Sequence, residues 1–133
     1  MYQTECKCVK PTNYLRLEAD FSADPIWCDI CNWNLDLIAL PLSIELEEEL
    51  MRWTLKWGKW INWNTDQLVT NAVQLEKVHN EWGLKLFHKI KSELGNMFYL
   101  KFSPSNSVEV YLQRDQHESD RSITEVNVAT HRT

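Results

Sequence analysis

The sequence predicts an α+β fold, with an N-terminal four-cysteine zinc-knuckle module, a long antiparallel helical hairpin and a C-terminal β-hairpin. Three observations lead to it. The four cysteines of the chain fall in two close pairs near its start. Two later stretches repeat apolar residues at spacings of three and four, typical of amphipathic helices, and two further stretches alternate with the period of strands. We assign residues 1–42 to the metal module and residues 43–133 to the helices, the β-hairpin and a polar tail.

The cysteine pairs predict a metal site. Four thiolates in two short hooks suit a tetrahedral Zn²⁺, because each hook supplies two ligands without stretching its backbone. Residues 14–19 alternate like a half-buried strand with Leu15 and Leu17 inward, and residues 22–25 form a turn that brings the chain back. Four cysteines would close the coordination shell, so the predicted zinc is structural. Its predicted ligands are Cys6, Cys8, Cys28 and Cys31.

The second cysteine pair also allows a different interpretation, because Trp-Cys-x-x-Cys is typical of thiol oxidoreductases. That chemistry would use Cys28 and Cys31, and it needs a helix that starts at the motif and lowers the pKa of the first thiol. Residues 22–25 are a turn, and residues 32–34 start a helix poorly. The redox interpretation also gives Cys6 and Cys8 no role, and structural disulfides are expected mainly in secreted chains.

A resemblance to a known group supports the metal module. The chain resembles small uncharacterised four-cysteine proteins of Gram-positive bacteria over roughly residues 14–60. The resemblance implies a zinc-stabilised N-terminal module and brings no activity with it. It is carried by Ala19-Asp20-Phe21-Ser22-Ala23-Asp24-Pro25-Ile26-Trp27-Cys28-x-x-Cys31, by Asn34-Leu35 and by Pro41-Leu42-Ser43.

Two helices are predicted after Pro41. The first begins at the N-cap Ser43 and reaches about Asn62, and the second runs from Thr70 or Asn71 to a stop at Gly95. Gly58 and Gly83 interrupt them, each at a cost of about 1 kcal/mol relative to alanine if exposed. The apolar stripes are Leu46, Leu50, Trp53, Trp57, Trp60 and Ile61 in the first helix, and Leu75, Val78, Trp82, Leu86, Ile90 and Leu94 in the second.

The last predicted element is the β-hairpin. Residues 97–102 and 107–112 alternate apolar and polar side chains on either side of a four-residue loop that contains Pro104. Residues 113–121 hold no apolar side chain, and residues 122–128 could add an edge strand.

Composition and charge favour a protein-binding function. The formal net charge is −5, from 19 acidic and 14 basic residues, which disfavours a protein that tracks phosphates. No window is apolar enough to span a membrane and the N-terminus has no signal peptide, so we expect a cytosolic protein. Small acidic domains of this kind can act as inhibitors or immunity proteins against a basic protein partner. The predicted contact residues are Glu45, Glu47, Glu48 and Glu49, in the first turns of the first helix.

One further alternative uses the basic residues of the same helix. Arg52, Lys56 and Lys59 lie among tryptophans, and aromatic side chains interleaved with cations can stack bases and hold phosphates. The chain would then be a nucleic-acid-binding zinc module. Motifs for nucleophilic catalysis, phosphate loops and catalytic zinc are absent from the sequence, so we do not expect an enzyme.

Overall fold

The computed structural model describes residues 6–117 and confirms the α+β class. Residues 1–5 and 118–133, which include the edge strand predicted at 122–128, lie outside the described residues. The elements are, in chain order, strands β1 (Tyr14–Leu17), β2 (Ile26–Cys28) and β3 (Asn34–Leu35), helix α1 (Ile44–Leu55), strands β4 (Ile61–Asn62) and β5 (Gln67–Leu68), helix α2 (Ala72–Leu94), strand β6 (Tyr99–Phe102) and helix α3 (residues 107–117).

The main sheet joins the three N-terminal strands to β6, which follows α2. Its strand order is β3-β2-β1-β6, with β1 antiparallel to β2 and parallel to β6. Leu15 therefore lies between Cys28 on one side and Leu100 on the other. Leu15 and Leu17 are buried, which confirms the alternation predicted for β1. On the opposite face Tyr14 stacks on Tyr99, with the ring centroids 4.9 Å apart.

Helices α1 and α2 pack against each other in antiparallel directions, as predicted. The Ser43 hydroxyl at the start of α1 bonds to Glu93 near the end of α2, and the Trp53 indole bonds to the His79 carbonyl near the other end of the pair. Ser43 caps α1 by accepting a hydrogen bond from the Leu46 amide. The core between helices and sheet includes Leu15, Leu17, Ile26, Leu35, Leu50, Trp53, Leu86 and Ile90. Among the described helices, none combines the length and the apolar character needed to cross a bilayer.

The first helix is shorter than predicted. It ends at Leu55 rather than near Asn62, and the chain continues through turns to the two-stranded ribbon of β4 and β5. Gly58 has φ of +82°, a conformation that L side chains rarely adopt, and a Cβ there would lie 2.9 Å from the Trp63 ring. The glycine therefore lies in the turn that follows the helix and is not a weak position inside it.

The predicted C-terminal β-hairpin is wrong in its second half. Residues 107–112 are helical, and β6 pairs with β1 instead. The reason is a carboxylate from α2: Glu76 accepts hydrogen bonds from the Val108 amide at 3.1 Å and from the Ser107 hydroxyl at 2.9 Å. These contacts satisfy donors at the start of α3, where a negative charge is favourable. Val110 and Leu112 are exposed, so the alternation in this segment does not mark a buried strand face.

Gly83 lies at the closest approach of three elements. A Cβ built on it would lie 2.6 Å from the Trp53 ring and 2.8 Å from the Phe102 ring, so only a hydrogen fits between them. Trp53 is 1% exposed. Val78, which was predicted to be buried, is 52% exposed, because α2 turns His79 and Gly83 toward the core at this level.

We expect Gly83→Ala to destabilise the protein even though alanine is the better helix former. The added methyl would force Trp53 and Phe102 apart, and overpacking of this kind costs about 1–3 kcal/mol. Chemical denaturation of this variant should show a lower free energy of unfolding. Lys85→Ala, at an exposed position of the same helix, is the control and should change it by less than about 0.5 kcal/mol. A Gly83→Ala variant more stable than the wild type would contradict the close packing.

The buried His79 should make the protein less stable in acid. Its Nε2–H donates to the Trp53 carbonyl at 2.9 Å, whereas Nδ1 is buried without a partner. Burial lowers the pKa of His79, and the Trp53 hydrogen bond and the charge of Glu76 oppose this only in part. The unfolded chain therefore takes up a proton at a higher pH than the folded one, and stability falls as the pH drops through about 6.5.

The measurement is the free energy of unfolding between about pH 7.5 and pH 5.5, a window around the ordinary histidine pKa. His79→Gln is the comparison, because an amide keeps a donor for the Trp53 carbonyl and does not titrate. We expect a shallower loss of stability on acidification in this variant. Equal slopes for the two proteins would show that His79 does not contribute.

Candidate metal centre and docking groove

The structure brings the four cysteines together at one end of the main sheet. The sulfur atoms of Cys6, Cys8, Cys28 and Cys31 all lie within 4.8 Å of one another, and we call this set the cysteine cluster. Cys28 is the last residue of β2, and Cys31 lies in the loop between β2 and β3. Cys6 and Cys8 come from the segment before β1. The assignment of a metal to this cluster stays a prediction.

The loop that carries Cys31 is held in a tight turn. The Asn32 amide donates to the Cys28 carbonyl at 2.9 Å, and the Cys28 amide donates to the Trp33 carbonyl at 2.8 Å. Asn32 has φ of +64°, which asparagine tolerates better than most residues. The Cys31 amide then lies 3.5 Å from the Cys28 sulfur, to which it donates. The turn thus aims a backbone donor at the Cys28 sulfur.

Contacts made by Arg16 and Lys7, which do not involve the sulfurs, fix the cluster. Arg16 in β1 donates to the Asp29 carboxylate at 3.1 Å and also to the Asn32 side chain, so the loop after β2 is tied to the neighbouring strand. Lys7 lies over the Trp33 ring, with its Nζ 4.6 Å from the ring centroid. The segment that carries Cys6 and Cys8 is therefore also joined to the loop after β2, by a cation–π contact.

The thiols of the cluster differ in acidity. Burial, and hydrogen bonds with the other three thiols, raise the pKa of Cys8 to about 12. Burial acts on Cys28 in the same direction, but hydrogen bonds from the Cys31 amide, the Thr12 hydroxyl and the Ile30 amide outweigh it and lower the pKa of Cys28 to about 6. Their sulfur atoms are 3.7 Å apart. Cys28 is thus the sulfur that these surroundings hold as a thiolate.

The oxidoreductase alternative does not fit this geometry. Cys28 is buried, and the residues that follow it form a turn and the strand β3 rather than a helix. A redox motif of that kind needs an accessible thiol at a helix N-terminus. The structure supplies neither feature at Cys28.

The predicted acidic residues divide into two groups. Glu45 and Glu48 are exposed. Glu49 is engaged within the fold, because it accepts hydrogen bonds from the Trp82 indole at 3.0 Å and from Lys89 at 2.9 Å. These two bonds lower its pKa. Glu49 therefore helps to join α1 to α2.

A shallow groove beside α1 combines acidic and apolar side chains. Glu47 and Glu48 line it together with Asp36 from the turn before the helix. Ile38 lies in the same groove and is 84% exposed, although it is a large apolar residue. Sequence analysis missed Asp36 and Ile38, because only the folded chain brings residues 36–38 beside the helix. We call this site the acidic groove; its lining is Asp24, Asp36, Leu37, Ile38, Glu47, Glu48, Met51 and Arg52.

In the structure, the tryptophans that the nucleic-acid alternative would use to stack bases are buried or half-buried. Trp53 and Trp60 are buried and Trp57 is half-buried, with the Trp57 and Trp60 indoles donating to serine hydroxyls. Trp53 and Trp60 belong to the core, so their faces are not available for bases, and Trp57 packs partly against the core. Arg52, Lys56 and Lys59 are exposed cations on the surface of the same segment.

Comparison with known proteins identifies the family. A family model described as Serratia CdiI immunity protein-like matches residues 13–105, which is more than half of the chain. The chain belongs to this family. The matched residues contain Cys28, Cys31 and the acidic groove, and they begin after Cys6 and Cys8. A comparison with curated protein sequences finds no significant match.

Proposed function

We propose that this chain is an immunity protein that acts in the cytosol by binding a protein toxin and blocking it. The observation that carries the proposal is the match of residues 13–105 to an immunity-protein family. The composition is consistent with a binding role, since the net charge is −5 and the sequence holds no motif for catalysis. A non-enzymatic inhibitor acts by binding its partner, and so its function depends on a binding surface.

The acidic groove is the surface that best suits such a partner. Carboxylates of Asp36, Glu47 and Glu48 would attract a basic protein surface and speed the encounter. Ile38 supplies an exposed apolar side chain among them, and a buried apolar contact surrounded by charge is typical of the centre of an interface. We therefore propose a basic toxin surface with an apolar pocket for Ile38. Glu47 and Glu48 retain the binding role predicted for the acidic run.

The function is tested first by neutralisation. The tagged chain is used to capture partners from the native host, and each captured protein is then expressed alone and together with this chain. We expect one partner that arrests growth alone and is harmless when co-expressed. If no captured protein is toxic, or if co-expression does not restore growth, the immunity function is wrong.

Reversing charge in the acidic groove should slow association with the toxin. We expect Asp36→Lys combined with Glu48→Lys to lower the association rate about 10-fold or more at low salt, with a smaller effect at high salt, because screening weakens long-range attraction. Stopped-flow or surface-binding kinetics at several ionic strengths measure this. Circular dichroism should show unchanged helix content.

The matched control is Glu81→Lys combined with Glu109→Lys. Both residues are exposed and lie outside the groove, and the double change alters the net charge by the same amount. We expect a much smaller effect on the association rate in this control. Equal effects in the two variants would mean that overall charge matters and the groove does not.

Removing the exposed apolar side chain of Ile38 from the groove should act on dissociation instead. We expect Ile38→Ala to weaken binding by about 1–3 kcal/mol through a faster dissociation rate, with little dependence on salt. Because Ile38 is exposed in the free protein, the variant should unfold at the same denaturant concentration as the wild type. Ile44→Ala, at an exposed position of α1 outside the groove, serves as the control. Unchanged binding of Ile38→Ala would remove Ile38 from the interface.

A further inference from the structure

We infer that the cysteine cluster is a structural zinc site with Cys6, Cys8, Cys28 and Cys31 as its four ligands. This assignment goes beyond the immunity function, because two of the four ligands precede the residues that the family model matches. It rests on geometry in the described part of the chain. Three separate segments converge there: the end of β2, the loop after it, and the irregular residues before β1.

The spacing of the sulfur atoms fits a tetrahedral ion. A Zn–S bond of about 2.3 Å places two sulfurs of a tetrahedron about 3.8 Å apart. The Cys8 and Cys28 sulfurs are 3.7 Å apart, and no pair in the cluster exceeds 4.8 Å. Small rotations of the cysteine side chains close the remaining gaps. Four sulfur donors fill the shell of such an ion, which leaves no position for a reactive water and makes the site structural.

The surroundings of the sulfurs also suit a metal–thiolate centre. The Cys31 amide donates to the Cys28 sulfur, and hydrogen bonds of this kind stabilise the negative charge of a coordinated thiolate. Two contacts hold the two cysteine pairs in place without using a sulfur atom. They are the hydrogen-bonded ion pair of Arg16 with Asp29 and the cation–π contact of Lys7 with Trp33. The arrangement is therefore supported by neighbouring residues and does not depend on the cysteines alone.

The zinc would fasten the N-terminal segment to the sheet. Residues 6–13 form no strand or helix. Coordination by Cys6 and Cys8 would anchor this segment to the loop after β2, so that metal binding contributes to the stability of this part of the fold. The buried core beneath α1 and α2 consists of apolar side chains, and among the proposed ligands Cys6 packs against its edge.

Metal content tests the site directly. Native mass spectrometry of the full chain purified without chelator should show one Zn²⁺ per chain, and this mass should be lost in a strong chelator. The chelated protein should regain one equivalent of Zn²⁺, or of Co²⁺ with the visible absorption of a tetrahedral thiolate site. All four thiols should resist alkylation in the zinc-bound form and react after chelation. A chain that takes up neither metal, with four freely reactive thiols, would overturn the proposal.

Variants then assign the ligands. We expect Cys6→Ser combined with Cys8→Ser to abolish stoichiometric binding while the protein stays folded, because Cys6 is only partly buried where it packs against the core and Cys8 is not part of the core. Hydrogen exchange of this variant should increase in residues 6–13 and in the loop after β2 and stay unchanged in α2. His88→Ala, which removes an exposed histidine elsewhere, should keep one Zn²⁺ per chain. Full zinc content in the double cysteine variant would rule out the four-cysteine site.

Discussion

The structure depends on the packing of Trp53 against α2 and β6. The indole stacks on the His79 ring, with the centroids 4.7 Å apart, and donates to the His79 carbonyl at 2.9 Å. In return His79 donates to the Trp53 carbonyl, so the two helices exchange a pair of hydrogen bonds in the core. Gly83 permits this distance between helices, and Phe102 closes the space from the sheet. The Trp53 side chain of α1 is therefore in contact with both α2 and the main sheet.

Local pattern predicted most of the elements, and long-range contacts decided the exceptions. The alternation around Leu15 and Leu17 and the cap at Ser43 are set by neighbouring residues, and both were confirmed. Residues 107–112 alternate like a strand, but a carboxylate from Glu76 caps a helix there. The sequence around residue 107 does not predict that contact, because Glu76 belongs to α2. The sequence likewise predicted that β6 is a strand, but it did not predict that β6 pairs with β1.

The two candidate sites were predictable to different degrees for a physical reason. Cysteines are few in this chain and paired, so their convergence could be expected from spacing alone. The acidic groove mixes helical glutamates with Asp36 and Ile38, which come from a short turn of no distinctive pattern. The role of Glu49 was hidden in the same way, because its partners Trp82 and Lys89 belong to the other helix. The composition of a surface depends on how distant segments pack, whereas candidate metal ligands can be recognised partly from residue type alone.

The parallel pairing of β1 with β6 bears on how the chain folds during synthesis. Tyr14 of β1 lies opposite Tyr99 of β6, a strand that leaves the ribosome only after α1 and α2 have been made. Contacts so distant in sequence form late, because a long loop must first close. Until then β1 has a bare edge, and unpaired edges invite association with other chains. A nascent chain of this family would therefore be most open to aggregation just before β6 is made.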